Sequence, residues 1–493
     1  MKGELRKFIS LFSYIFVYFY YAKKQIPDNQ KLNQLKIKTL NLIFVLLLLC
    51  FNNARSQEKQ GSKQSGILSE SNSNFLKELT REVVDSSRIY PGQMIAGKYG
   101  PNNTGGVLIR PGGRDCYPAF WIRDYAMSLE CGFINNDEQK QMLLLTASTQ
   151  CDQSWITPGG SMIPYGSIAD HIRIDDSMPI YFPGTYSYTD QGNKTFGMFP
   201  PYDDQYFFIH MAYSYIQTTS DTGILKKKIN DITLIERLEA AFRVPPSRPD
   251  NHIVYTTDDY RGVDFGFRDA IVITGDLCFT SILKYRASNE LARIFEMTGD
   301  KALSSHYSAI AVKIKAAIPE LFQDKRGMLH SSTGKSNQAD VWSTGLAVYL
   351  IILQGDSQEK ACSFLADAYR KGYLSYNGNI RHILTIDDFN ESTAWETSLA
   401  KKNTYQNGAY WGTPTGWVCY AIAKADFALA QKLADEYIED LRKNDFRKGG
   451  GSGAPWECFH PSGFRQNPVY MTTVTCPFIV FSSMNNDITT FGK

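Results

Sequence analysis

Four segments of this 493-residue chain set carboxylates and arginines beside Trp, Phe, Gly and Pro. The first is Arg110-Pro-Gly-Gly-Arg114, running on to Phe120-Trp-Ile-Arg-Asp124-Tyr125. The second is Pro200-Pro-Tyr-Asp203-Asp204-Gln205. The third spans residues 258–268 and contains Gly262-Val263-Asp264-Phe265. The fourth joins residues 406–417 with Ala454-Pro-Trp-Glu457-Cys-Phe459-His460. A carboxyl packed against aromatic rings loses hydration, so its pKa climbs and it can hold a proton near neutral pH. Asp264, near Phe265 and Phe267, fits that description, as does Glu457, near Trp456 and Phe459. They lie 457 − 264 = 193 residues apart, on separate loops, as an acid and a base facing one cleft would. Arg268 or Arg114 is placed to keep the other carboxylate ionised. Arg114, Trp121, Asp124, Asp204, Arg268, Trp411 and Trp417 are the candidates for holding a polar substrate. Each has a plainer role available. Asp264 could cap a helix or pair with Arg268, Asp203 or Asp204 could be an N-cap, and Trp411 and Trp417 could be packing. Glu396 is a reserve acid or base.

Such loops need a frame. From about residue 74 the pattern predicts helix after helix: 74–88, 138–155, 205–218, 234–242, 277–297, 304–322, 341–353, 359–369 and 417–443. Apolar residues recur at three and four, as in Phe427, Ala430, Leu433, Ala434, Tyr437 and Leu441. Alternating strands are few, at 107–109 and 253–257. No short repeat marks a regular solenoid. Paired helices of this number can close into an α/α toroid with long loops forming a cleft at one end. The fold class expected is therefore all-α.

The composition is that of a globular chain, with 43% apolar and 21% charged residues. Residues 1–56 carry nine Lys/Arg against two Asp/Glu, a surplus of +7, so the net +2 leaves 2 − 7 = −5 for the remainder. No basic excess remains to hold nucleic acid. Residues 1–56 read as a leader. Within it, residues 31–56 have a basic flank, an apolar run at 40–51 and Ala54-Arg55-Ser56 as a cleavage site. That implies a periplasmic or secreted protein without stable membrane insertion once the leader is removed. Residues 57–73 read as a polar linker and 74–493 as one catalytic domain. The cysteines beyond the leader show no CxxC spacing and are expected mostly as buried small apolar residues. The histidines form no HxH or HExxH, and no P-loop or dinucleotide fingerprint occurs. No metal or cofactor is expected.

The motifs resemble those of the trehalase and processing α-glucosidase clan of glycoside hydrolases. Pro111-Gly-Gly-Arg114 followed by Trp121-Ile-Arg-Asp124-Tyr125 is similar to the first trehalase signature. Residues 410–417, Tyr-Trp-Gly-Thr-Pro-Thr-Gly-Trp, resemble the second. Gly262-Val263-Asp264-Phe265 with Arg268 resembles the segment carrying the clan's catalytic acid, and Trp456-Glu457-Cys458-Phe459 the segment carrying its base. The chain departs from the clan in having Asp115-Cys116-Tyr117 between the first two elements, Gly412 for an Asp, and Val263 for a Trp. The resemblance thus implies the acid–base pair without implying trehalose as substrate.

It also implies a six-hairpin toroid and an inverting, exo-acting hydrolase of oligosaccharides released from a larger glycan. In an inverting enzyme one carboxyl protonates the leaving oxygen and the other activates water, at a separation of roughly 6.5–9.5 Å. Asp264 would be the acid and Glu457 the base. Two alternatives stay open: a polysaccharide lyase or unsaturated-glycuronyl hydrolase on the same toroid, and a non-catalytic glycan-binding protein.

Overall fold

The computed structural model describes residues 66–95, 99–113, 117–193, 197–259 and 261–486. The leader and Arg114 lie outside the described residues. Twelve α-helices are described: α1 (Glu70–Ser87), α2 (Ile122–Ser128), α3 (Asn136–Ser148), α4 (Asp203–Thr219), α5 (Leu234–Arg243), α6 (Cys278–Thr298), α7 (Lys301–Phe322), α8 (Val341–Tyr349), α9 (Gly355–Arg370), α10 (Thr415–Ala425), α11 (Phe427–Asn444) and α12 (Met471–Asn486). The even-numbered helices pack in a closed ring, α2 on α4, α4 on α6, α6 on α8, α8 on α10, α10 on α12, and α12 back on α2. The odd-numbered helices lie outside them, α7 on α6, α11 on α10, and α3 and α5 on α4. This is an (α/α)6 toroid.

The sequence assigns helices to the two layers by burial. All seven residues of α2 are buried, and so are eight of the nine in α8. Helices enclosed on every side show no amphipathic stripe. The outer helix α7 buries Tyr307, Ile310, Ala311, Ile314, Ala317, Ile318 and Phe322 at three- and four-residue spacing and leaves its other faces wet. Capping boxes start α3 (Asn135, Glu138) and α5 (Thr233, Glu236).

Several boundaries differ from expectation. Helix α1 starts at Glu70, inside the stretch read as linker, because the Ser69 side chain accepts from Asn72 N–H. The run expected at 417–443 is two helices, since Asp426 adopts an extended backbone and caps α11 through Leu429 N–H. Helix α12, which contains Pro477, lies outside the expected runs, and α2 is a short, wholly buried helix at the aromatic segment around Asp124. The strands are short, among them Leu108–Ile109 and Tyr255–Thr256. Seven described cysteines are free and buried. Among the described residues, no helix is long and apolar enough to cross a membrane.

Candidate active site

A cavity of about 460 Å³ opens where segments enter the inner helices. Trp121, Arg123 and Asp124 come from the start of α2. Gly266–Ala270 comes from the approach to α6, and Tyr405 from the approach to α10. Glu457, Gln466 and Tyr470 precede α12, and Tyr117 completes the wall.

Glu457 sits on strand Trp456–Phe459, paired antiparallel with Arg465–Pro468. From that partner strand Asn467 Nδ2 donates to Glu457 Oε2 at 2.6 Å, and Tyr117 OH donates to the same oxygen at 3.0 Å. Burial pushes the Glu457 carboxyl up to about 8; the Asn467 bond opposes this and the Asp124 charge adds to it. Asp124 accepts from Tyr470 OH at 2.6 Å. Burial lifts it to about 7, against the Tyr470 bond and the Arg123 charge. Asp269 accepts from Gln406 Nε2 at 2.7 Å. It too is lifted to about 7, first by burial and then by the Asp170 charge.

Arg123 forms part of the cavity floor and is held by three aspartates. Its guanidinium pairs with Asp203 at 3.0 Å, with Asp204 at 2.7 Å, and with Asp170. Asp170 also bonds His171 Nδ1 at 2.7 Å, and the His171 ring stacks on Trp121 with centroids 4.2 Å apart. The chain crosses this guanidinium at Gly266, whose N–H donates to Asp203 at 3.0 Å. A Cβ there would stand 1.8 Å from Arg123 Nε, so only glycine fits.

The structure places Asp264 elsewhere than expected. It is 3% exposed and is not among the cavity-lining residues. Arg268 Nη1 donates to it at 3.2 Å and Thr280 N–H at 3.2 Å, while Arg268 Nη2 reaches Asp340 at 2.6 Å. Asp340 in turn caps α8. Asp264 and Arg268 therefore staple the third segment to the inner ring. The reason is the 3-10 turn Gly266–Arg268, which buries Asp264 and Arg268 and turns Asp269 to the cavity. The sequence carried a signal for Asp269: Arg268-Asp269 repeats the Arg123-Asp124 dipeptide. In both, the arginine plugs into buried carboxylates and the aspartate lines the cavity.

Of the other expected residues, Trp121 and Asp124 line the cavity. Asp204 touches it only through Arg123. Trp411 is fully buried among Phe267, Trp342 and Tyr405 and does not reach it. Trp417 lines a different cavity. Glu396 is also absent from the lining. Among the described residues no cluster of His, Cys, Asp or Glu is arranged to hold a metal ion.

No family model matches the chain, and no curated protein matches it significantly. Solved structures do. A glucoamylase from Hypocrea jecorina, of glycoside hydrolase family 15, superposes with a TM-score of 0.55 at 13% identity, covering 84% of this chain and 72% of the other. A glucoamylase from Saccharomycopsis fibuligera superposes with a TM-score of 0.52 at 10% identity, covering 87% of this chain and 98% of the other. The fold is the one these glycosidases use. At such identities the likeness speaks for architecture; chemistry must come from the cavity.

Proposed function

We propose that this protein is an inverting glycoside hydrolase with Asp269 as general acid and Glu457 as general base. One observation carries the reading: two carboxyls 457 − 269 = 188 residues apart line one cavity of a size suited to small ligands, both lifted by burial toward neutral pH. Asp124, Glu457 and Asp269 interact, so their protons leave in steps that belong to the group. The roles follow the resemblance of Trp456-Glu457-Cys458-Phe459 to the clan's base-bearing segment, because the pKa order, about 8 for Glu457 and about 7 for Asp269, does not separate them in that sense. Tyr117 and Asn467 fix Oε2 of Glu457 for taking a proton from water once the group is ionised. Asp269, held by Gln406 and the Ala270 N–H, gives its proton to the leaving oxygen. Asp124 accepts from sugar hydroxyls, and the Trp121 ring, backed by His171, offers an apolar face to the pyranose.

Lyase or uronate chemistry fits less well. The lining holds three carboxyls, and its one described cation, Arg123, already serves three aspartates. A uronate would enter against net negative charge. We read the substrate as a neutral oligosaccharide cut from a chain end, and residues 31–56 as an export signal. Sequencing the mature N-terminus should find Gln57. A screen of neutral oligosaccharides, with NMR of the fresh product, tests the activity: the anomer first released should be opposite to that of the substrate. No hydrolysis of any neutral glycoside, or retention at the anomeric carbon, contradicts it.

A further inference from the structure

A second cavity, of about 480 Å³, lies further along the inner helices, away from the carboxyl cluster. Its wall is aromatic and aliphatic, with Tyr213 from α4, Tyr349 from α8 and Trp417 from α10. The Tyr420 ring, also in the wall, already has Lys424 Nζ over it at 5.0 Å. Three charged side chains face the space: Glu130, Arg286 and Glu290. Arg286 pairs with Glu130 at 3.4 Å and with Glu290 Oε1 at 3.0 Å. His210 Nδ1 bonds the same Oε1 at 2.7 Å, while its Nε2 faces Arg286 Nη2 at 2.8 Å.

Among the lining side chains two carboxylates face one guanidinium, and Arg286 and His210 both bond the Oε1 atom of Glu290, leaving its other oxygen unpaired. Glu290 is 6% exposed, and its Oε2 is buried with no hydrogen-bond partner. A buried carboxylate oxygen without a donor costs roughly 1–3 kcal/mol, which a ligand N–H can recover.

We propose that this cavity binds a small organic cation, a primary ammonium on an apolar or aromatic body. The ammonium donates to Glu290 Oε2, and the body lies against Trp417, Tyr349 and Tyr213, where ring faces attract cations. The inference does not depend on the glycoside-hydrolase reading.

Calorimetric titration of the purified protein with 2-phenylethylamine, and with its neutral counterpart 2-phenylethanol, tests it at pH 7. The amine should bind at one site at least about tenfold more tightly than the alcohol. Glu290→Gln should erase that preference. Ser483→Trp, an exposed position on the cavity wall, should block binding without disturbing the core. Glu457→Gln, in the other cavity, should leave amine affinity unchanged. Equal binding of amine and alcohol, no amine binding, or loss of binding in Glu457→Gln but not in Ser483→Trp would each overturn the proposal.

Discussion

Replacing Asp264 by Asn separates a structural carboxylate from a catalytic one. Asp264 shares Arg268 with Asp340 and accepts from Thr280. Removing one partner of a buried ion pair costs about 3–5 kcal/mol. Here Asn keeps the volume and one acceptor oxygen, and Asp340 still faces Arg268, so the cost falls to about 2–3 kcal/mol. An unfolding entropy of about 2 cal/mol/K per residue, over about 420 residues, gives about 0.9 kcal/mol/K. The melting temperature should therefore fall by about 2–4 °C. Turnover measured well below that temperature should stay within about threefold of wild type, against the 10²–10⁴-fold loss expected on removing a general acid. Differential scanning calorimetry and initial rates on the same preparation read both quantities. A thousandfold loss of turnover with an unchanged melting temperature would refute the reasoning and return the acid role to Asp264.

Three further outcomes follow from the site. Glu457 and Asp269 have folded-state pKa values above their unfolded ones, so the folded protein binds more protons than the unfolded chain from about pH 4 to 8. Each group thus lowers stability by up to about 1.4 kcal/mol per pH unit as pH rises through that window. Denaturation at pH 5 and pH 8 should show Glu457→Gln losing part of that slope; an unchanged slope contradicts the burial argument. Tyr117→Phe removes one donor from Glu457 Oε2, which should raise the pKa of the base. The acid limb of the kcat profile should then move up, with kcat near neutral pH falling about tenfold, the rate equivalent of roughly 1.4 kcal/mol; an unmoved limb argues against Glu457 as base. Arg123→Lys cannot reach three aspartates with one ammonium, so it should destabilise the fold and raise KM through a displaced Asp124. A variant of wild-type stability and KM would show that the cluster positions nothing.

The layered helices were legible where one face is wet and one is dry, as in α7 and α11. The stripe is lost in α2, which is enclosed all round, and over the first seven residues of α12, which are all buried and run into Pro477. The cavity was half legible. Trp121, Asp124 and Glu457 could be picked from their aromatic company. Asp269 is not picked out by the sequence, because the 3-10 turn at Gly266–Arg268, which decides which carboxylate faces the cavity, leaves no periodic trace. Trp411 and Trp417 stay open in the sequence between packing and sugar binding, because the packing that the ring imposes leaves no local trace. Tyr117, Tyr470 and Gln406 act by bonding carboxylates remote in sequence, at separations of 340, 346 and 137 residues. No local pattern encodes such partners.

The central claim is that Asp269 gives a proton to the leaving group while Glu457 takes one from water. A glycosyl fluoride of the cognate sugar tests it most directly, because fluoride departs without protonation. Asp269→Asn should lose about 10²–10⁴-fold on the natural glycoside yet hydrolyse the fluoride within about tenfold of wild type, whereas Glu457→Gln should fail on both. Equal impairment of Asp269→Asn on the two substrates, or survival of fluoride hydrolysis in Glu457→Gln, would contradict the assignment.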